Sequence, residues 1–201
     1  MTDVRIVFAG DSLVAGVGDE TALGWVGRVL ATARQAGHDV TGYNLGVRRE
    51  TTPEVVARLR IEAPPRLRDG DVRALVLSTG VNDTTTLAGT PRCSVDATVE
   101  AIGELLTTAD EAGWAMLVVG PPLVADAAQN ARIAERSAAI ATLCAQRRVT
   151  FIDVAGPLAG DSRWATEVAA GDGSHPGSRG YELLARLIDP GFASWLATVT
   201  P

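Results

Sequence analysis

The sequence predicts an α/β domain built around a mostly parallel sheet of five strands. Short apolar runs alternate with longer amphipathic stretches along the whole chain. The apolar runs are continuous rather than alternating, as strands buried on both faces require. Glycine is plentiful, at 21 of 201 residues, which suits many tight strand-to-helix turns.

The first strand is Val4–Ala9, followed by a helix over Gly24–Ala36 and a second strand over Val40–Leu45. A helix over Pro53–Glu62 leads into Ala63–Gly70, whose two prolines and charged residues read as a surface connection. The third strand is Ala74–Ser78. Between Ser94 and Gly113, Val95, Val99, Ile102, Leu106 and Ala109 recur three or four residues apart, with Glu100 and Glu104 on other faces. Ser94 suits the N-cap of that helix and Gly113 its C′ position. A strand over Met116–Val119, a helix over Ala127–Arg147 and a strand over Thr150–Val154 follow. The last helix starts near Ser178 and is expected to break or restart at Asp189-Pro190, because proline removes a backbone donor. Phe192, Trp195, Leu196 and Val199 then resume the apolar stripe. No repeat, low-complexity tract or linker interrupts the chain, so residues 1–201 read as one domain.

Hydrophobic residues make up 46% and charged residues 21%, as in ordinary globular proteins. The formal net charge of −6 argues against a general binder of nucleic acid or anionic membranes, which needs a concentrated basic face. No run approaches the ~18–20 apolar residues of a membrane span. The first residues lack a basic segment and a cleavage site, so a cytoplasmic location is expected. Cys93 and Cys144 are far apart, show no metal-ligand spacing and read as free thiols. Nothing in the sequence indicates an oligomeric state or a cofactor.

Parallel sheets place their sites at the carboxyl ends of strands. Four segments fall there: Gly10-Asp11-Ser12-Leu13, Asn44-Leu45-Gly46, Gly80-Val81-Asn82-Asp83 and Asp172-Gly173-Ser174-His175-Pro176. A hydroxyl nucleophile needs an adjacent base, and the base needs an orienting group. Of the two histidines, His38 belongs to a helix-to-strand turn at the opposite sheet edge and reads as a solvated turn residue. His175 is the candidate base for Ser12, with Asp172 three positions earlier to fix its tautomer. The backbone N–H of Ser12, the N–H of Gly46 and the side-chain amide of Asn82 are candidate donors for an oxyanion.

Taken together, these segments resemble the SGNH hydrolases, the GDSL family of esterases and lipases. Serine, glycine, asparagine and histidine stand in four separated blocks: Ser12 in GDSL, Gly46 in NLG, Asn82 in GVND, and Asp172 with His175 in DGSHP. The resemblance covers nearly the whole chain. It implies a three-layer α/β/α sandwich of flavodoxin-like type and a metal-free Ser-His-Asp mechanism on a small-molecule ester. Tyr181 and Leu183-Leu184-Ala185 are similar to the family's final helix. A thioesterase or lysophospholipase-like enzyme and a carbohydrate deacetylase share the same core residues. A non-catalytic module binding an anion at the helix after Ser12 is the rival from another class, although it leaves Asp172, His175 and Asn82 without a role.

The tripeptide Gly-Asp-Ser is weak by itself, since Gly160-Asp161-Ser162 repeats it without a preceding strand and reads as a loop turn. Family members often continue the second block as NxGxxGD. Here Arg49 stands where that second glycine is expected and Glu50 where the aspartate is. Arg48 and Arg49 are expected to pair with acids at the rim of the cleft; the other reading has a guanidinium hold a carboxylate or phosphate of the substrate. Pro121-Pro122-Leu123 could line the acyl side with Leu13 and Val14, or simply form a rigid strand exit. Trp164 is expected to serve local packing rather than a lid, and Trp25 to start the core face of the first long helix. Asp11 is expected to stabilise the turn at Ser12 and not to be catalytic.

Overall fold

The computed structural model describes residues 2–200. The elements follow in chain order as β1 (Val4–Gly10), α1 (Ser12–Ala15), α2 (Gly24–Gln35), β2 (Val40–Gly46), α3 (Thr52–Leu67) and β3 (Val72–Ser78). After a 3-10 turn at Asn82–Thr84 come a small hairpin, β4 (Thr86–Leu87) with β5 (Thr90–Pro91), then α4 (Val95–Ala112) and β6 (Ala115–Val119). The chain closes with α5 (Ala127–Arg147), β7 (Thr150–Ile152), α6 (Ala155–Leu158), α7 (Ser162–Ala170) and α8 (Ser178–Val199).

The main sheet is parallel, with strand order β2-β1-β3-β6-β7. From β1 the chain first moves outward to β2 and then returns to the other side for β3. This reversal opens a crevice beyond the carboxyl ends of β1 and β3. The register aligns those ends: Gly10 lies opposite both Gly46 and Ser78. The segments that follow β1, β2 and β3 therefore leave the sheet side by side.

Alternate residues of each strand feed two cores, which makes the three layers. Val4, Ile6 and Phe8 enter one core with Trp25 and Val29 of α2 and with Leu184, Ile188 and Phe192 of α8. Val7 and Ala9 enter the other with Val55 and Leu59 of α3, Ile102 and Leu106 of α4, and Ile140 of α5. Phe8 meets Trp25 edge to face at 5.9 Å and Phe192 at 6.0 Å, so β1 is clamped between α2 and α8. Trp25 thus starts the core face of α2, as expected. No helix among the described residues is long and apolar enough to cross a membrane.

Two helices run further than their sequence suggests. The stretch expected as a surface connection continues α3 through Pro64 and Pro65 to Leu67. Ala63 and Leu67, four residues apart, are both fully buried, while the prolines face solvent. Burial of this last apolar turn outweighs the lost backbone donors. The break expected at Asp189-Pro190 does not occur either, and α8 continues through Pro190. Ile188, Phe192, Trp195 and Leu196 keep one buried face across the proline. Burying such side chains contributes about 1.5–3 kcal/mol each, against about 3 kcal/mol for an internal proline. Two short helices, α6 and α7, lie between β7 and the His175 loop, and α7 starts where a loop turn is expected at Gly160-Asp161-Ser162.

Candidate active site

The turn after β1 is built to hold one small residue in place. A side chain at Gly10 would put its Cβ 1.9 Å from the Ser78 carbonyl oxygen, so β1 can lie this close to β3 only with glycine there. Asp11 then caps α1, its Oδ1 accepting the Leu13 N–H at 2.9 Å. Ser12 is the first residue of that single turn and is only 6% exposed. Gly16, with φ of 78°, ends the turn by donating its N–H to the Ser12 carbonyl.

His175 arrives from the loop before α8. Its Nε2 lies 2.7 Å from the Ser12 Oγ, and its Nδ1 lies 2.7 Å from the Asp172 Oδ2. The other Asp172 oxygen accepts the N–H groups of Ser174 at 3.0 Å and His175 at 2.9 Å. The three-residue spacing is therefore one turn closed by the aspartate itself. Burial opposes ionisation of Asp172, but the hydrogen bonds from the His175 ring and these N–H groups outweigh it and hold its pKa to about 2. Asp172 is thus ionised from mildly acidic pH upward and selects the tautomer with the proton on Nδ1, leaving Nε2 to accept from the serine.

The segment after α1 braces this loop. The Tyr181 hydroxyl donates to the Val17 carbonyl at 2.7 Å, and Glu20 accepts the N–H and hydroxyl of Ser178 at 2.9 and 2.7 Å. Gly18, with φ of +91°, approaches so closely that a Cβ there would lie 2.8 Å from the Pro176 carbonyl and 3.1 Å from the His175 Cβ. Ser12 and His175, 163 residues apart, thus sit on two segments bonded to each other.

Asn82 and Gly46 come to the same edge, each with its donor engaged. The Gly46 N–H donates to Asn44 Oδ1 at 3.0 Å, and the Asn82 amide donates to the Glu50 carbonyl at 3.0 Å and to Asp11 Oδ2 at 3.3 Å. The Ser12 N–H carries no hydrogen bond among the described residues. Glycine at position 46 also has a packing cause. A Cβ there would lie 2.1 Å from the Ala15 nitrogen, so α1 rests directly on the β2 backbone.

The remaining expectations divide. Trp164 is buried and donates its indole N–H to the Leu123 carbonyl at 3.0 Å, which is local packing. Leu123 borders a separate cavity with Phe151 and Ala155, away from Ser12. His38 lies in the turn before β2, at the sheet edge opposite Ser12. Cys93 and Cys144 are free. The rim pairing expected of Arg48 and Arg49 is corrected: neither forms an ion pair among the described residues, because Glu50 is taken by Arg58 and Glu54 by Arg92. Arg49 does occupy a left-handed turn, with φ of 69°, where glycine would avoid about 1–2 kcal/mol of strain. The Arg92 guanidinium holds the Arg49 carbonyl at 2.7 Å.

Two residues, buried Asp83 and half-buried Arg58, were not anticipated. Asp83 accepts the Thr52 N–H at 2.8 Å and the Thr98 hydroxyl, fixing the Asn82 turn to α3 and α4. Arg58 is the other. Its only sequence signal is a cation flanking the apolar stripe of Val55 and Leu59.

Asp11 yields a testable consequence. Burial first, then the nearby Asp83 and Glu50 carboxylates, push its pKa up to about 7 despite the bond from Leu13. A carboxyl group raised in this way destabilises the fold as pH climbs, because the unfolded chain ionises near pH 4 and the native one near 7. Asp11→Asn keeps an acceptor for the Leu13 N–H and carries no charge. Thermal melts are expected to show the variant gaining on wild type as pH rises from 5 to 8; a difference independent of pH would contradict it.

A model of the GDSL-like lipase/acylhydrolase family matches residues 8–183. Among solved structures, the chain is similar to a lipase/acylhydrolase from Enterococcus faecalis, with 24% identity, a TM-score of 0.77, and 95% of this chain and 96% of that one covered. It is also similar to a catalytic mutant of Axe2, an acetylxylan esterase from Geobacillus stearothermophilus, at 16% identity and a TM-score of 0.78, covering 94% and 93%. The acetyl xylan esterase AlAXEase aligns at 19% identity and a TM-score of 0.75, covering 92% and 98%. At these identities the likeness shows a common fold. No curated protein sequence matches the chain.

Proposed function

Because this chain belongs to the GDSL-like lipase/acylhydrolase family, we propose that its 201 residues form one domain that hydrolyses carboxylic esters of small molecules through an acyl-enzyme on Ser12. The observation that carries this reading is the relay Ser12–His175–Asp172, with both contacts at 2.7 Å. Ser12 Oγ attacks the ester carbonyl carbon while His175 Nε2 takes the hydroxyl proton. Asp172 stabilises the imidazolium that results. The C–O bond to the alcohol then breaks, and His175 returns the proton to the departing oxygen. Water repeats both steps and frees the acid.

The tetrahedral oxyanion needs donors already in place. The unengaged Ser12 N–H is the first. The Asn82 hydrogen on its longer, 3.3 Å contact to Asp11 is the second, while the Gly46 N–H stays with Asn44 on the outer side of β2. An alcohol or thiol leaves more readily than an amine, so esters and thioesters are preferred over peptides. Two of the similar structures are named as acetylxylan esterases, which favours a carbohydrate deacetylase as the second reading.

Treatment with a fluorophosphonate is expected to add one mass increment, located at Ser12, and to stop hydrolysis of p-nitrophenyl acetate. A folded protein that gains no mass at Ser12 is instead the anion-binding module. Comparing p-nitrophenyl esters of increasing chain length, an acyl thioester and an acetylated xylooligosaccharide then separates esterase, thioesterase and deacetylase.

A further inference from the structure

Arg58 lies on α3, outside the four blocks, and its side chain is 14% exposed. Its Nε donates to the Glu50 carboxylate at 2.6 Å. One Nη2 serves two backbone carbonyls, Gly10 at 3.1 Å and Leu45. Nη1 reaches Glu62 at 3.4 Å. The first three acceptors lie on three different segments of the site's edge. Gly10 is the last residue of β1, two before Ser12. Leu45 shares its peptide plane with the Gly46 N–H. Glu50 offers its own carbonyl to the Asn82 amide at 3.0 Å.

We infer that Arg58 is the positioning residue of the oxyanion-binding edge, a single guanidinium that ties the ends of β1 and β2 together and, through Glu50, sets the direction of the Asn82 amide relative to Ser12. The inference rests on the hydrolase reading above. The shared Nη2 explains why the guanidinium matters. It holds the last carbonyl of β1 and the Leu45 carbonyl of β2 together, so moving either strand end away from the other breaks a charge-assisted bond. The Glu50 backbone is fixed similarly, through its side chain on Arg58, while Arg92 holds the preceding carbonyl. A planar fork can serve a carboxylate and two carbonyls at once; a lysine ammonium on the same stem cannot match that spread. Arg58 itself donates nothing to substrate.

The test compares wild type, Arg58→Met, Arg58→Lys and Glu50→Gln at a temperature where thermal melts show all of them folded. Arg58→Met is expected to lower kcat for p-nitrophenyl acetate and the rate of Ser12 labelling by about 10- to 100-fold, with KM changed less than about threefold. Arg58→Lys is expected to recover only a small part. Glu50→Gln should cost several-fold in wild type and almost nothing in the Arg58→Met background, since both act through one contact. In NMR spectra, the Asn82 side-chain resonances should move in Arg58→Met, which reports positioning without reference to turnover. If Arg58→Met does not fold, Arg58→Lys and Glu50→Gln carry the same readouts. Wild-type kcat and labelling in a folded Arg58 variant, or unmoved Asn82 signals, overturn the inference and leave the hydrolase reading standing. A wild-type protein unlabelled at Ser12 overturns both.

Discussion

Replacing His175 with alanine is expected to reduce ester turnover by about 10⁴-fold or more while the thermal melt stays close to wild type. The imidazole is the only base within reach of Ser12 Oγ among the described residues, at 2.7 Å, and at neutral pH a hydroxyl without a base is scarcely nucleophilic. Its loss leaves the core untouched, because His175 is half-buried at the surface end of its loop. Ser12→Ala should cost about as much, and the double variant little more than either alone, since the two side chains act as one unit. Steady-state kinetics on p-nitrophenyl acetate with the three variants would check this. Multiplying losses in the double variant would mean that Ser12 and His175 do not act together.

Gly46→Ala should damage both stability and turnover. Its methyl group would have to occupy space 2.1 Å from the Ala15 nitrogen and 2.6 Å from the Ala15 Cα. Those are backbone atoms, so no side-chain rotation can relieve the clash, and α1 must move off β2 together with Ser12. Overpacking of this kind costs about 3 kcal/mol, which in a chain of this size lowers Tm by about 6–12 °C. A displacement of about 1 Å at the nucleophile costs a further ~10²-fold in kcat. Gly103→Ala is the control. That glycine lies within α4 and its Cβ would meet nothing within 4 Å, so the change should leave Tm equal or slightly higher. Thermal melts and kinetics on the pair separate the close approach at Gly46 from a general intolerance of alanine for glycine.

The two copies of Gly-Asp-Ser show where sequence reading stops. Both fold alike: Asp11 caps α1 and Asp161 caps α7, accepting N–H groups from the first turn, and each serine opens its helix. The tripeptide specifies a helix start, and the expectation of a plain loop turn at Ser162 missed α7. What distinguishes Ser12 is the strand before it and the His175 loop lying across it. The helix ends show the opposite limit. Prolines 64, 65 and 190 locally favour a stop, yet Ala63, Leu67 and Phe192 have buried places to fill in the other layers. Local propensity of a few kcal/mol yields to burial that no window of sequence displays.

The sequence by itself determined the five parallel strands and the placement of Ser12, Gly46 and Asn82 at or just past strand ends. Period and apolar runs are local properties, and the crossover rule converts them into a shared edge. It also determined the Asp172–His175 pairing, because three residues of one turn bring the two groups together. Only the tertiary structure decided how the donors are aimed. The engagement of the Gly46 and Asn82 amides, the φ of 69° at Arg49 and the reach of Arg58 to Gly10, Leu45 and Glu50 depend on peptide planes and side chains from separate elements meeting within about 3 Å. Spacing along one chain carries no record of such distances.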